Sequence, residues 1–509
     1  MELTIAETLT TSAHNYARRE ALVIGDKRVT FGKLNEAVNR RSNTLRELGV
    51  GKGDHVGTFS ANSLELVETI YALNRIGAVV VPLNIRLSPD ELIYMMNCAN
   101  LSGLVYQNQY EHIIQEIRPS IDVKLFLCTG NSELSDVINF EVEKGKRSSQ
   151  FPDTVINEND IATIIYTSGT TGRPKGVVHT HKNWIWAMSN ITVSVKSGFE
   201  KNLTPFPLFH SGGFLHLYAS VFGTNTIFML PGFDPVLMLK TIEKESINRL
   251  GSPPTVYKML LQSPELAKTD VSSVRYLMSG SEAIPDEIRN QLYKAFPGAN
   301  IIENYGQTEA CACLTSRIGK FTDKRRFSVG RPAPHIRLRI VDENDDDAGP
   351  GKVGEIICQT PSTMQGYYQD PEKTAGAIRN GWLYTGDIGE LDQDGFLYIK
   401  ERKSHMIISG GENIYPKEVE DVLYRHPKII EVAVFGLPDN LWGEKVCAAV
   451  VTKPDEQLDA EEVIEFCRNN LASFKKPKIV TFMDILPKNQ TGKILRTVLK
   501  KEMSDNPGR

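Results

Sequence analysis

The stretch Ile164–His181 reads IIYTSGTTGRPKGVVHTH. An apolar strand runs straight into Thr167-Ser168-Gly169-Thr170-Thr171-Gly172. Glycines let a backbone fold tightly and turn its N–H groups toward an anion. Hydroxyls add donors, and Lys175 adds a mobile positive charge. This is chemistry for a polyphosphate. It is not the GxxxxGK[ST] loop, because Pro174 precedes Lys175 and Gly176 follows it. A turn rich in Gly and Thr is by itself more often just a turn. The whole string is far more specific than a lone GxGxxG.

Outward from this loop, apolar runs alternate with amphipathic helices. Residues 33–48 place Leu34, Ala37, Leu45 and Leu48 at helical spacing. Residues 64–76 read as another helix and 78–83 as a β-branched strand. Further units recur at 161–166, at 226–230 with 235–244, and at 274–278 with 286–295. Apolar strands between helices imply a parallel sheet covered on both faces. From 335 to 400 the texture changes to short strands and Gly/Asp turns, a β-rich subdomain in which Asp345–Asp347 form an acidic hairpin turn. A polar connection, KERKSHMIISGGENIYP, then leads into a helix near Pro416. Strands at 431–435 and 446–451 and a helix at 460–469 complete a small α+β unit. The expected class is therefore α/β: a large N-terminal domain of mixed and parallel sheets layered with helices, residues 1–401, and a small α+β C-terminal domain, residues 402–509.

The chain has 509 residues, more than one hydrophobic core usually supports. With 41% hydrophobic and 24% charged residues it is ordinary globular material. A net charge of −4 argues against a nucleic-acid coat, which needs excess Lys and Arg. Seven scattered Cys with no CxxC pair point to a reducing cytoplasm; Cys311 and Cys313 read as packed thiols. The N-terminus has no signal-peptide pattern, and the C-terminus no peroxisomal or lipidation signal. No Lys, Arg, Asp or Glu lies between Lys201 and Asp234. Pro205, Pro207, Gly212, Gly213, Gly223, Pro231 and Gly232 make short buried strands and turns the expectation there, rather than a membrane span. With His210 and His216 the stretch reads as a pocket wall. From Lys475 onward nine Lys or Arg face three acids, either a solvated surface or a face that meets phosphates.

YTSGTTGRPKG resembles the phosphate-loop signature of adenylate-forming enzymes, which include acyl-CoA synthetases, peptide-synthetase adenylation domains and luciferases. The other motifs of that family follow in order, from about Val29 to Arg496. Gly280-Ser281-Glu282-Ala283 matches its adenine-pocket strand end. Asn304-Tyr305-Gly306-Gln307-Thr308-Glu309 resembles the motif beside the adenine and Mg²⁺. The resemblance implies that Tyr305 stacks on adenine, Thr308 contacts the α-phosphate and Glu309 binds Mg²⁺. Asp387, in WLYTGD, would accept from the ribose hydroxyls, and Arg402 matches an Arg near ribose or phosphate. Lys493, in PKNQTGK, would bridge carboxylate and α-phosphate. Ser409, Gly410 and Gly411 would line the thiol channel, where glycines suit a pantetheine arm. The family presents its C-terminal domain in two orientations. Its pivot residue, usually Asp or Lys two residues after the Arg, falls here on Ser404 or on His405 next to it.

Adenylation turns a carboxylate into an acylating agent by making AMP the leaving group. The resemblance implies ATP, Mg²⁺ and coenzyme A. Residues 204–217 carry no acid to hold an amine, so an amino acid is not the expected substrate. Phe206, Phe209 and Phe214 would suit an apolar acyl or aryl group, and His210 resembles the family residue beside the carboxylate. The first reading is a fatty-acid–CoA ligase, medium- or long-chain. The second is an aryl-acid ligase of coumarate, benzoate or succinylbenzoate type, or a stand-alone enzyme loading a carrier protein. The third is a non-catalytic nucleotide-binding or luciferase-like protein, against which Lys175, Glu309 and Lys493 weigh. Oligomeric state, a homodimer included, stays open.

Overall fold

The structure, a computed structural model, describes residues 2–167, 174–195, 198–280, 282, 284–319, 325–410, 412–454, 456–488 and 494–505. Contacts gather the chain into two compact units, Met1–Leu338 with Cys358–Tyr384, and Arg339–Ile357 with Thr385–Arg509. This line differs from 401/402, because most of the β-rich stretch groups with the C-terminal residues. The α/β class holds, with a large N-terminal and a smaller C-terminal part.

The first unit holds two sheets. In one, Glu20–Ile24, Thr226–Met229, Lys201–Thr204, Arg249–Gly251, Tyr276–Ser279 and Asn300–Tyr305 run parallel in that spatial order. Thr315–Ile318 adds antiparallel at the end of the series. In the other, Ile161–Thr167, Val79–Pro82, His55–Phe59, Gly103–Gln107 and Leu125–Thr129 are parallel. Lys175–Thr180 returns antiparallel beside Ile161–Thr167, and Gly366–Tyr367 pairs antiparallel with it in turn.

Helices Ile5–Tyr16, Phe31–Glu47, Leu64–Arg75, His181–Ser194 and Ser211–Phe222 share one core with the inner faces of both sheets. At its centre the fully buried Trp184 donates from Nε1 to Thr163 Oγ1 at 3.0 Å. Helices Pro235–Glu245, Pro254–Leu261 and Asp286–Ala295 cover the outer face of the first sheet, and Pro89–Cys98 and Glu111–Ile117 that of the second. Local chemistry sets the boundaries. Thr180 ends a strand and caps the next helix through a reciprocal box with Asn183. Asp234 caps the helix that opens on Pro235.

The expectation of only strands and turns between 201 and 234 is corrected: Ser211–Phe222 is a helix. Its two glycines lie in the first turn, and a Cβ on Gly213 would stand 2.2 Å from the Pro207 carbonyl oxygen. Close backbone approach, not a break in the helix, explains that glycine.

In the second unit, Ile407–Ser409, Glu412–Ile414, Ile429–Asp439, Gly443–Thr452 and Ile479–Phe482 form a sheet packed on Pro416–Leu423 and Ala460–Asn470. Among the described residues no helix is long and apolar enough to cross a membrane.

One buried ion network ties the helices together. Arg41, fully buried, donates from Nε to Glu68 at 2.7 Å and also pairs with Glu141; Lys144 meets Glu68 at 2.9 Å. Removing one member leaves a carboxylate buried with less compensation, which costs several kcal/mol. Arg41→Met is expected to lower the unfolding free energy by about 3 kcal/mol in urea titrations. Adding Glu68→Leu should recover part of that loss.

Candidate functional site

The strand Ile161–Thr167 and its return Lys175–Thr180 bring Thr167 and Lys175 into direct register. The intervening Ser168, Gly169, Thr170, Thr171 and Gly172 lie outside the described residues. The return strand passes its neighbours tightly at Gly176, where a Cβ would sit 2.9 Å from Ile164 Cγ2 and 3.3 Å from Tyr368 Cβ.

Asn300–Tyr305 ends at its carboxyl end in a sharp turn. A Cβ on Gly306 would lie 2.6 Å from the Ala312 backbone, so only glycine fits. Thr308–Ala310 is a single 3-10 turn, and Cys311 and Ala312 follow in left-handed conformation, at φ 53° and 71°. Four groups hold this turn. His179 Nε2–H donates to the Thr308 carbonyl at 2.7 Å. Ser211 Oγ and Thr308 Oγ1 are hydrogen bonded at 3.0 Å. The Met364 N–H donates to the Glu309 carbonyl at 2.8 Å, and Tyr367 Oη donates to Glu309 Oε1 at 2.9 Å. The Lys175 ammonium lies 5.1 Å from the centre of the Tyr367 ring. Lys175, Thr308 and Glu309 are thus brought together, with Tyr367, His179 and Ser211 between them.

The carbonyl acceptor fixes the tautomer of His179, since Nε2 must carry the proton; among the described residues its buried Nδ1 meets no hydrogen-bond partner. Burial pushes the ring from 6.5 down to about 4, so it is neutral at physiological pH.

The expected adenine-side residues also converge. A Cβ on Gly280 would meet the Asn304 carbonyl at 3.4 Å. Asn304 Oδ1 accepts from Ser316 at 2.6 Å, and Tyr305 is buried. Glu303 accepts from the Ile284 N–H at 3.3 Å and pairs with Arg289 at 3.0 Å, which fastens the chain at Ile284. Glu282 is exposed, and Ser281 lies outside the described residues. His210 precedes the helix that carries Ser211 and meets Phe209 edge-on at 4.6 Å. Phe214 instead packs in the core, 5.4 Å from Tyr218 and fully buried.

In the second unit, Asp387 and Arg402 face each other across an antiparallel ribbon, and Arg402 Nε reaches Asp387 Oδ1 at 2.9 Å. Arg402 also donates to the Thr385 carbonyl at 3.1 Å. Ser409 is buried, and Gly410, at φ +63°, donates to the Trp442 carbonyl at 2.7 Å. A Cβ there would strike the Trp442 ring at 2.8 Å, and the Lys478 ammonium lies 4.3 Å from that ring's centre. Gly411 and Lys493 lie outside the described residues. Their neighbours are anchored: Lys488 and Ile494 form a β-bridge, and Arg496 pairs with Glu420 at 2.5 Å.

Among the described residues no cluster of three His, Cys, Asp or Glu could cage a metal. A single carboxylate, Glu309, met by a phenol, fits Mg²⁺, which draws most of its octahedron from phosphate and water. Residue patterns alone missed Tyr367, His179, Ser211 and Trp442. His179 lay within the quoted loop stretch, and the other three had no local signal.

Residues 9–368 match the family described as AMP-binding enzyme, and residues 418–493 its C-terminal domain. The chain belongs to the AMP-binding enzyme family. A long-chain-fatty-acid–CoA ligase of Mycobacterium tuberculosis is 33% identical over 484 residues, 94% of each chain. A feruloyl-CoA synthase of an Amycolatopsis species is 32% identical over 480 residues, also 94% of each. The ATP-bound crystal structure of MatB from Rhodopseudomonas palustris superposes with a TM-score of 0.89 at 28% identity, covering 99% of both chains.

The buried imidazoles give an acid signature. Burial disfavours the charged forms of His179, His181 and His216 and pushes each ring down to about 4. The unfolded chain takes up those protons near 6.5, so stability is lost as pH falls from 6.5 toward 4. The loss is on the order of 3 kcal/mol per ring at most. Unfolding measured between pH 7.5 and 4.5 should show this slope, and His179→Gln should lessen it by one ring's share, since His181 and His216 remain.

Proposed function

We propose that the protein activates an apolar carboxylic acid as its acyl-AMP and then transfers the acyl group to coenzyme A. The coarse activity, that of an AMP-forming acid–thiol ligase, follows from the family and its relatives. The observation that carries the reading is the Thr308–Glu309 turn, held against Ser211 on the acid side and near Lys175 on the phosphate side.

In the first step a carboxylate oxygen bonds to the α-phosphorus of ATP, and the bond to pyrophosphate breaks. Positioning and charge stabilisation are the protein's contribution to such a displacement. Lys175 and the loop 168–172 take the departing phosphates, Thr308 takes the α-phosphate, and Glu309 would hold Mg²⁺. When bound, the metal neutralises phosphate charge. Lys493 bridges carboxylate and α-phosphate, His210 stands beside the carboxylate, Tyr305 and residues 280–282 enclose the adenine, and Asp387 accepts from the ribose with Arg402 beside it. In the second step the CoA sulfur bonds to the acyl carbonyl carbon, AMP leaves, and the thiol proton passes to solvent. Ser409, Gly410 and Gly411 line the approach of the thiol, and Lys478 beside Trp442 gives that wall positive charge.

The two steps call for two presentations of residues 402–509, with the pivot just after Arg402. For the acid we favour a medium- or long-chain fatty acid, because the charge-free stretch 204–217 offers an alkyl tail no ionic partner. The aryl-acid reading stands second, on the near-equal identity of the feruloyl-CoA synthase. We assign the enzyme to the cytoplasm, where its seven free thiols stay reduced.

Pyrophosphate release across a panel of alkyl and aryl acids, with and without CoA, tests the proposal. Thioester formation is expected with apolar acids; none from any acid would reject it. Lys493→Ala should abolish acyl-AMP formation yet largely spare thioester formation from supplied acyl-AMP. Equal loss of both would rule out two presentations.

A further inference from the structure

Tyr367 touches both charged groups of the phosphate side. It sits on the two-residue strand Gly366–Tyr367, which runs along the edge of the strand that returns from the phosphate loop. Its backbone has almost no freedom. Tyr367 pairs with Val177 and donates its N–H to Thr374 Oγ1 at 2.8 Å. The flanking N–H groups donate to the same neighbouring strand, Gln365 to Val178 at 2.9 Å and Tyr368 to Gly176 at 2.7 Å. Gly176 is needed for that approach, since its Cβ would press on Tyr368. Met364, three residues earlier, donates its N–H to the Glu309 carbonyl. One short segment therefore holds the main chain and the side chain of Glu309 together.

We infer that Tyr367 is a positioning residue for the metal–nucleotide site, orienting the Glu309 carboxylate through its phenol while its ring seats the Lys175 ammonium. This rests on the reading of Glu309 as the Mg²⁺ ligand. The phenol spends its proton on Oε1, which fixes the carboxylate plane and biases which oxygen faces outward. A neutral donor does this without cancelling the negative charge, as an Arg or Lys partner would. The cation against the ring polarises the phenol and strengthens its donation. Groups that orient a metal ligand from behind typically matter 10–100-fold in metal affinity.

The test compares wild type with Tyr367→Phe, which keeps the ring and removes only the hydroxyl. Mn²⁺ binding is read by electron paramagnetic resonance with α,β-methylene-ATP present, alongside pyrophosphate release as a function of Mg²⁺. Tyr367→Phe is expected to weaken Mn²⁺ binding about 10-fold and raise the Mg²⁺ requirement similarly. Excess Mg²⁺ should restore most of the rate, with an unchanged melting temperature. A merely structural role would lower the rate at every Mg²⁺ concentration and leave Mn²⁺ affinity alone. Wild-type Mn²⁺ affinity in Tyr367→Phe overturns the inference while the proposed activity stands. If wild type and Glu309→Gln bind Mn²⁺ equally, the assignment of Glu309 fails, and the inference with it.

Discussion

The hydrogen bond from His179 to the Thr308 carbonyl joins the strand leaving the phosphate loop to the turn that carries Thr308 and Glu309. Those parts belong to different sheets, one containing Asn300–Tyr305 and the other Lys175–Thr180. The ring that makes it is buried and burial keeps it neutral, so protonation leaves the bond alone at ordinary pH. Such a tie is needed because the turn is not intrinsically comfortable. Two consecutive non-glycine residues, Cys311 and Ala312, are left-handed, which costs on the order of 1–3 kcal/mol each. Strain of that kind persists only where surroundings over-determine it. Here Ser211, Met364 and Tyr367 supply the remaining ties.

The location follows from the sheets. In open α/β sheets ligands gather at the carboxyl ends of parallel strands. Tyr276–Ser279 and Asn300–Tyr305 are adjacent and parallel, and their carboxyl ends carry Gly280 and the 306–309 turn. The second sheet reaches the same place by another device. Its strand Ile161–Thr167 is parallel to its inner neighbour, but the chain then doubles back antiparallel. Doubling back returns Lys175 to the level of Thr167. It also creates the sheet edge on which Gly366–Tyr367 can pair. A crossover helix in that position would have removed both.

Elements with strong periodicity were legible in the sequence: Asp286–Ala295 and Leu64–Arg75 fall where apolar spacing places them. The helix Ser211–Phe222 was not. Its glycines answer a tertiary contact with Pro207, and no local pattern reports that. The same divide runs through the site. Lys175, Thr308 and Glu309 belong to strings whose chemistry is local. Tyr367 lies 58 residues from Glu309 in sequence, and only the antiparallel edge brings the two together. Compactness, too, was hidden. Residues 339–357 and 385–401 group with the C-terminal residues because strand pairing, not sequence adjacency, counts there.

That grouping bears on Asp387. Its carboxylate is held by the Arg402 guanidinium directly across the ribbon, and the Thr385 hydroxyl receives its N–H at 3.1 Å. The Arg402 contact takes one of the roughly four lone-pair sites of that carboxylate. Arg402 is the last residue of its strand, and Lys403–His405 form the 3-10 turn that follows. A pivot after Arg402 would begin at the residue that orients Asp387. Rotation there need not break the ribbon, because its backbone register ends at Asp387 and Arg402, but it would part Lys403 from Glu355 and the Lys417 N–H from Glu401. If Asp387 accepts from the ribose as proposed, it would keep its geometry while the residues beyond it move, which is what holding AMP through two successive steps requires.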